Sequence, residues 1–177
     1  MKLPTAPRLE TPRLTLRPHL ATDFPDCCAM WADSEVVRYI GGKPSTPQQV
    51  WSRILGYAGQ WHFMNYGYWA IEEKNTGKFV GEMGFAEFMR DMVPSIKGVP
   101  EMGWALSPEF HGIGYGSEAI ACALNWAELN LFQPKIACII SPDNKQSVKL
   151  AVKSGFKKEC STEYAGQPTD LYLRILG

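Results

Sequence analysis

Apolar and polar positions alternate at Leu14-Thr15-Leu16, which predicts a first strand closed by Arg17-Pro18. The pattern then changes to a helical period. Thr22 is a candidate cap for a helix through Phe24, Cys28 and Trp31. Thr46-Pro47-Gln48-Gln49 is a stronger start signal, with Thr as N-cap, Pro at the first helical position and Gln three residues after the cap. Val50, Ile54, Ala58 and Trp61 then fall on one face of the predicted helix. Two strands follow, Tyr68 to Glu72 and Lys78 to Phe85, joined by the turn Lys74-Asn75-Thr76-Gly77. Pro94 and Gly98 mark the segment Asp91 to Val99 as a loop, and Glu101 to Leu106 reads as another strand. Ile120, Ala123, Leu124, Ala127 and Leu131 predict a long amphipathic helix that stops near Gln133-Pro134. Ile136 to Ile140 is apolar at every position, as in a strand covered on both faces. Asn144 can cap a last helix through Val148 and Val152, ended by Gly155, and Leu171 to Leu176 closes the chain as a strand. The order of one strand, two helices, three strands, helix, strand, helix and final strands predicts a mixed α/β sheet rather than a regular βα alternation.

Composition narrows the class. The 177 residues suit a single domain, 1–177, that buries its own core. Eighteen basic and eighteen acidic side chains cancel, so no broad basic face for nucleic acid is expected. The five cysteines, Cys27, Cys28, Cys122, Cys138 and Cys160, show no CxxC or Cys/His ligand spacing. No metal site is expected from them, and a reduced, cytoplasmic compartment fits best. The start Met1-Lys2-Leu3-Pro4 leads into polar residues and prolines rather than an apolar signal core, and no stretch has the apolar length to span a bilayer.

The candidate chemistry centres on His111-Gly112-Ile113-Gly114-Tyr115-Gly116-Ser117, between a predicted strand and a predicted helix. Glycines let the backbone turn sharply and come close to a ligand. Just before a helix they leave N–H groups free at the positive end of its dipole, which suits phosphate or pyrophosphate. No Lys follows, so the run is not a P-loop. Its glycines fall at every second position after antiparallel strands, so it is not a dinucleotide fingerprint either. No G-x-S-x-G elbow is present to support hydrolase chemistry.

With Gly114 and Gly116 in this place, the sequence resembles the GNAT superfamily of N-acetyltransferases, whose signature is [Arg/Gln]-x-x-Gly-x-[Gly/Ala]. His111 stands where Arg or Gln is usual. Thr11-Pro12-Arg13-Leu14-Thr15-Leu16-Arg17, Gly112 to Ala119, Asn144-Lys145-Gln146-Ser147 and Gly155-Phe156 resemble the ribosomal-protein (RimJ/RimL-like) branch, over nearly the whole chain. The resemblance implies a single α+β domain. Its mostly antiparallel twisted sheet would be flanked by about four helices, with a V-shaped cleft between two central parallel strands. It implies acetyl-CoA as acyl donor, with Ala105 and Leu106 bonding the pantetheine, His111, Gly112, Ile113, Gly114, Tyr115, Gly116 and Ser117 around the pyrophosphate, and Asn144 and Ser147 also at the cofactor.

The implied reaction is direct attack by a primary amine, of a small molecule or a protein N-terminus, through a tetrahedral intermediate. The amine must lose a proton, and an acid is sought to give one to the departing thiolate. Glu101 matches a base position, with Glu82 and Glu163 as rivals. Many relatives carry an acidic Tyr five residues before the Phe of the Gly-Phe pair; here that position is Ala151, and Ser147 is the replacement acid the branch suggests. A CoA-binding module without turnover is the alternative. His19 and His62 have no partners at catalytic spacing. The aromatic residues Trp31, Tyr39, Trp51, Tyr57, Trp61, Tyr66, Tyr68 and Trp69 are expected mostly in the core. Some could line an acceptor pocket, and any exposed ones could serve a homodimer.

Overall fold

The structure, a computed structural model, describes residues 5–177. Its strands are β1 (Leu9–Glu10), β2 (Leu14–Arg17), β3 (Tyr68–Glu73), β4 (Phe79–Ala86), β5 (Glu101–Leu106), β6 (Lys135–Ile140), β7 (Lys157–Tyr164) and β8 (Gln167–Ile175). Its α-helices are α1 (Phe24–Ala32), α2 (Ser34–Val37), α3 (Pro47–Met64), α4 (Tyr115–Asn130) and α5 (Lys145–Lys153). The strands form one sheet in the order β1-β2-β3-β4-β5-β6-β8-β7. Every neighbouring pair is antiparallel except β5 and β6. The described residues form five α-helices, in line with the expected number of about four, the additional one being the single turn α2.

The predicted caps close as drawn. At α3 the Gln49 N–H donates to Thr46 Oγ1 (3.3 Å), and the Thr46 N–H donates to Gln49 Oε1 (2.8 Å). At α5 the Ser147 N–H donates to Asn144 Oδ1 at 3.1 Å. Thr22 does not cap a helix. It lies in a short 3₁₀ turn, Ala21–Asp23, and α1 begins after it. The organising residue is Asp23, which accepts from both terminal nitrogens of Arg17 and from the Leu20 N–H, each at 2.8 Å. Ala58 faces outward, and Tyr57 is buried in its place. The polar run Lys157–Tyr164 gave no strand signal, yet it pairs with β8 as an edge strand, where one face stays wet.

Two layers cover the sheet. Ala119, Ala123 and Ala127 of α4 are completely buried; their small side chains let the helix lie close to the strands. Helices α1 to α3 cover the other face, with Trp31, Val50 and Ile54 over Ala70 and Ala105. All eight residues of β4 are buried, as expected of a strand covered on both sides. Trp69 has no exposed surface and meets the rings of Trp61 at 4.9 Å and Trp126 at 5.1 Å.

The parallel pair matters most for the site. In β5 and β6 the register holds at Glu101 and Ala137, and the Ala137 N–H reaches back to the Pro100 carbonyl at 3.0 Å. Beyond that point the strands separate into a V, while β5 stays paired to β4 as far as Leu106.

Trp69→Ala should cost about 3–5 kcal/mol in denaturant unfolding, the range for deleting a fully buried indole. A loss below about 1 kcal/mol would mean that this tryptophan cluster does not carry the core.

Candidate active site

Beyond the open end of β5 the chain makes a short 3₁₀ turn, Pro108–Phe110, and enters the glycine run. Gly114 is the N-cap of α4 at φ +90°, a left-handed conformation that L side chains rarely adopt. The first backbone bond of α4 runs from the Glu118 N–H to the Gly114 carbonyl at 3.1 Å. Among the described residues, the N–H groups of Gly112, Ile113, Gly114, Tyr115, Gly116 and Ser117 make no hydrogen bond outside the helix ladder that begins at Glu118. Gly112, Ile113 and Gly114 are exposed. This is a row of unpaired donors at a helix N-terminus, the physical requirement for binding a pyrophosphate.

The loop is held from outside by the N-terminal motif. Glu118 accepts from the Thr11 hydroxyl (2.6 Å), the Arg13 N–H (2.8 Å) and Arg13 Nε (2.7 Å). Arg13 also donates to the Ile113 carbonyl at 2.9 Å and stacks over the Tyr115 ring at 4.6 Å. The Tyr115 hydroxyl bonds Glu73, so its side chain points into the fold and only its backbone faces the loop. His111 Nε2 lies 2.8 Å from the Leu106 carbonyl, which braces the loop against β5. Ala105 and Leu106 are buried at the far end of that strand.

Within the V lies a cavity of about 80 Å³, lined by Gly103 and Trp104 of β5, Cys138 to Ile140 of β6, and Asn144 and Ser147. The Trp104 indole N–H donates to Ser147 Oγ at 3.3 Å. An indole nitrogen can only donate, so the serine oxygen is the acceptor and its own proton stays available. Asn144 caps α5 and lines the same cavity. Ala151 has no exposed surface and packs in the core, away from the cavity lining.

Glu101, at the apex, is buried and paired bidentately with Arg90, Nε to Oε2 at 2.5 Å and Nη2 to Oε1 at 2.8 Å. Arg90 in turn stacks on Phe88 at 4.7 Å and Tyr164 at 4.6 Å. Tyr68 reaches across the sheet from β3: a Cβ at Gly103 would sit 2.1 Å from its hydroxyl, so any larger residue there would have to displace the Tyr68 side chain. Burial, with the carboxylates of Glu101 and Glu82, pushes the Tyr68 hydroxyl well above its ordinary value. Tyr39 lines the cavity from the loop after α2. Glu163 is exposed on β7.

Glu82 has no exposed surface. Its oxygens are met by the Tyr57 hydroxyl (2.5 Å), Trp31 Nε1 (3.0 Å), His19 Nε2 (3.4 Å) and Cys27 Sγ (4.0 Å). Burial, then the Glu82 charge, keeps the Cys27 thiol protonated. His19, without a partner by spacing, thus has one by folding. The sequence reading also missed Trp104 and Arg90. Trp104 was legible as the residue beside Gly103 on the cleft strand. Arg90 lies in an irregular loop where no periodicity points to it.

A glycine loop with unpaired N–H groups, set at the open end of a splayed parallel pair, has the layout that suits the pyrophosphate of an acyl-CoA donor. Comparison with known proteins agrees: the family profile "Acetyltransferase (GNAT) domain" matches residues 13–157. The chain is similar to the uncharacterized N-acetyltransferase p20 of Bacillus licheniformis, 30% identical over 157 residues, covering 85% of this chain and 83% of that protein. Its fold superposes on a GnaT-family acetyltransferase from Bordetella pertussis with a TM-score of 0.84 and 25% identity, covering 96% of this chain and 100% of the other. It also shares the fold of spermidine N-acetyltransferase from Vibrio cholerae, solved with CoA and spermine (TM-score 0.74, 18% identity, 94% and 97% covered). The chain belongs to the GNAT family of N-acetyltransferases.

The Glu118 clamp has a pH signature. Burial alone would raise this carboxyl, but Thr11 and Arg13 outweigh it and hold it below the usual carboxylate range. A group lowered on folding stabilises fully above its unfolded pKa and loses that contribution as pH falls through the folded one. Between about pH 5 and pH 3, Glu118→Gln should therefore lose less stability than the wild type. Equal slopes in acid unfolding would remove the clamp from the stability of the loop.

Proposed function

We propose that this protein transfers the acetyl group of acetyl-CoA to a primary amine by direct attack through a tetrahedral intermediate. The observation that carries the reading is the row of unpaired N–H groups from Gly112 to Ser117, at the open end of the β5/β6 cleft. These groups would hold the pyrophosphate, with Arg13 supporting the loop in place of the usual signature cation. Because β6 leaves β5 after Glu101, the β5 edge from Met102 to Leu106 is not paired with β6, and this is the edge that would take the pantetheine amides. A backbone N–H there would polarise the thioester carbonyl as charge develops on its oxygen.

Ser147 is the proton donor to the departing thiolate. Trp104 occupies its oxygen from one side, so the hydroxyl hydrogen points elsewhere along the cavity. On the acceptor side, both Glu101 oxygens already receive Arg90. Its role in this reading is to hold Arg90 and the Phe88 and Tyr164 rings in place; it accepts the amine proton only where Arg90 shares an oxygen. Tyr39, Tyr68, Phe88 and Tyr164 give this side an aromatic character that suits the ammonium of a small amine or of a peptide N-terminus. The motifs around Arg13, Gly114 and Ser147 support the ribosomal-protein branch.

The test is thiol release from acetyl-CoA over a panel of small amines and N-terminal peptides. Ser147→Ala should lower kcat by on the order of 100-fold and leave the dissociation constant for acetyl-CoA unchanged. Trp104→Phe should move kcat in the same direction by less. An unchanged kcat in Ser147→Ala would remove the hydroxyl from the mechanism.

A further inference from the structure

The register of β3, β4 and β5 carries a tyrosine to the cleft strand. Ala70, Glu82 and Ala105 stand side by side on the three strands. Two residues along, Tyr68, Gly84 and Gly103 form the next row on the same face. Neither glycine offers a side chain, so Tyr68 crosses the row and its hydroxyl ends 2.1 Å from the place of a Gly103 Cβ. Trp104 points to the opposite face by strand alternation, and there it bonds Ser147. Gly103 and Ser147 both line the cleft cavity. The open strand β5 therefore has a side-chain hydroxyl on each face, Ser147 on one and Tyr68 on the other.

The Tyr68 hydroxyl has no use inside the fold. The residue is buried, and a buried tyrosine normally finds a partner for its O–H. Tyr57 donates to Glu82 and Tyr115 to Glu73. The Tyr68 oxygen makes no hydrogen bond among the described residues. Nor is it sealed in: the unpartnered side-chain atoms closed off from their surroundings are His19 Nδ1 and Arg53 Nε, so the Tyr68 oxygen keeps surface that another molecule can touch. The ring itself is fixed, stacked on Tyr57 at 4.4 Å and edge-on to the exposed Phe88 at 6.5 Å. Phenylalanine would make both ring contacts equally well. Burial and the charges of Glu101 and Glu82 keep the phenol protonated, so it offers lone pairs on a neutral oxygen.

We propose that the Tyr68 hydroxyl holds the attacking amine, accepting one of its N–H groups over Gly103 so that the nitrogen lone pair faces the thioester in the cleft. This inference rests on the acetyl-transfer reading and assigns the acceptor end of the same site. The two hydroxyls divide the work: Ser147 serves the departing sulfur from one face of β5, and Tyr68 the entering nitrogen from the other. A neutral oxygen suits this task. A carboxylate in its place would favour the ammonium form, which has no lone pair to attack with, and Glu101 is already held by Arg90. Fixing the nitrogen beside the carbonyl carbon is an orientation effect, supplied by a ring that is rigid before the amine arrives. The contact is with the nitrogen and not with what the nitrogen carries, so it is common to every primary amine the protein accepts.

The experiment measures thiol release from acetyl-CoA by the full chain and by Tyr68→Phe, with 2-phenylethylamine and the dipeptide amide Ala-Ala as acceptors. The variant should lose about tenfold in kcat/KM, the effect of one neutral hydrogen bond, by the same factor for each acceptor the wild type uses. Its dissociation constant for acetyl-CoA should be unchanged, a split that a merely structural role for the hydroxyl would not produce. In the wild type with CoA bound, NOEs from the methylene beside the 2-phenylethylamine nitrogen should reach the Tyr68 ring protons, a readout that needs no variant to fold. Unchanged kcat/KM in Tyr68→Phe would mean that solvent serves the hydroxyl, and would overturn the proposal. So would a loss confined to one of two accepted amines, an equal loss of acetyl-CoA affinity, or NOEs confined to other parts of the protein. Failure of the transfer reading looks different: the wild type itself would release no thiol with any amine, and this inference would fall with it.

Discussion

The proposed cofactor cleft depends on a pairing that begins and then stops. Parallel strands β5 and β6 meet at Glu101 and Ala137 and part immediately afterwards. A continued ladder would have satisfied the β5 edge internally and filled the space between the strands. Because it stops, one edge of a well-held strand is left unpaired with β6 beyond Glu101. The strand can stand open because its other edge is paired to β4 from Glu101 to Leu106 and because α1 to α3 and α4 pack its two faces. Main-chain binding of this kind needs rigidity, since a loose edge would either close or aggregate.

The same logic governs the loop at the end of the cleft. A run with Gly112, Gly114 and Gly116 is entropically expensive to order, and its unpaired N–H groups do not offset that cost. Order is imposed from outside by the Thr11 and Arg13 contacts to Glu118, the Arg13 contact to Ile113, and the His111 contact to Leu106. Two motifs more than a hundred residues apart are thus one device. Across the cleft, the Trp104 indole N–H donates to the Ser147 hydroxyl oxygen and holds that side chain in place.

Much of this was legible in the amino-acid sequence where the physics is local. Thr46 with Gln49, and Asn144 with Ser147, announce helix starts because the capping partners are three residues apart. The glycine run announces its loop because glycines at every second position before an apolar helix have few other uses. What stayed hidden depends on distant partners. Glu101 looks like a free carboxylate until the irregular 87–100 segment brings Arg90 onto it. His19 and Glu82 are 63 residues apart and meet only through the fold. Strand β7 is polar because it is an edge, and a polar run without alternating apolar residues carries no strand signal.

The central claim is that the unpaired N–H groups from Gly112 to Ser117 bind the pyrophosphate of acetyl-CoA. The most direct measurement is calorimetric titration of acetyl-CoA into the wild type and into Gly114→Asp, with ATP as control. Acetyl-CoA alone should bind with an affinity near 1 μM, about −8 kcal/mol, and this affinity should be lost in the variant, where a carboxylate and a strained φ stand against the phosphates. Undiminished binding by a folded Gly114→Asp protein would contradict it.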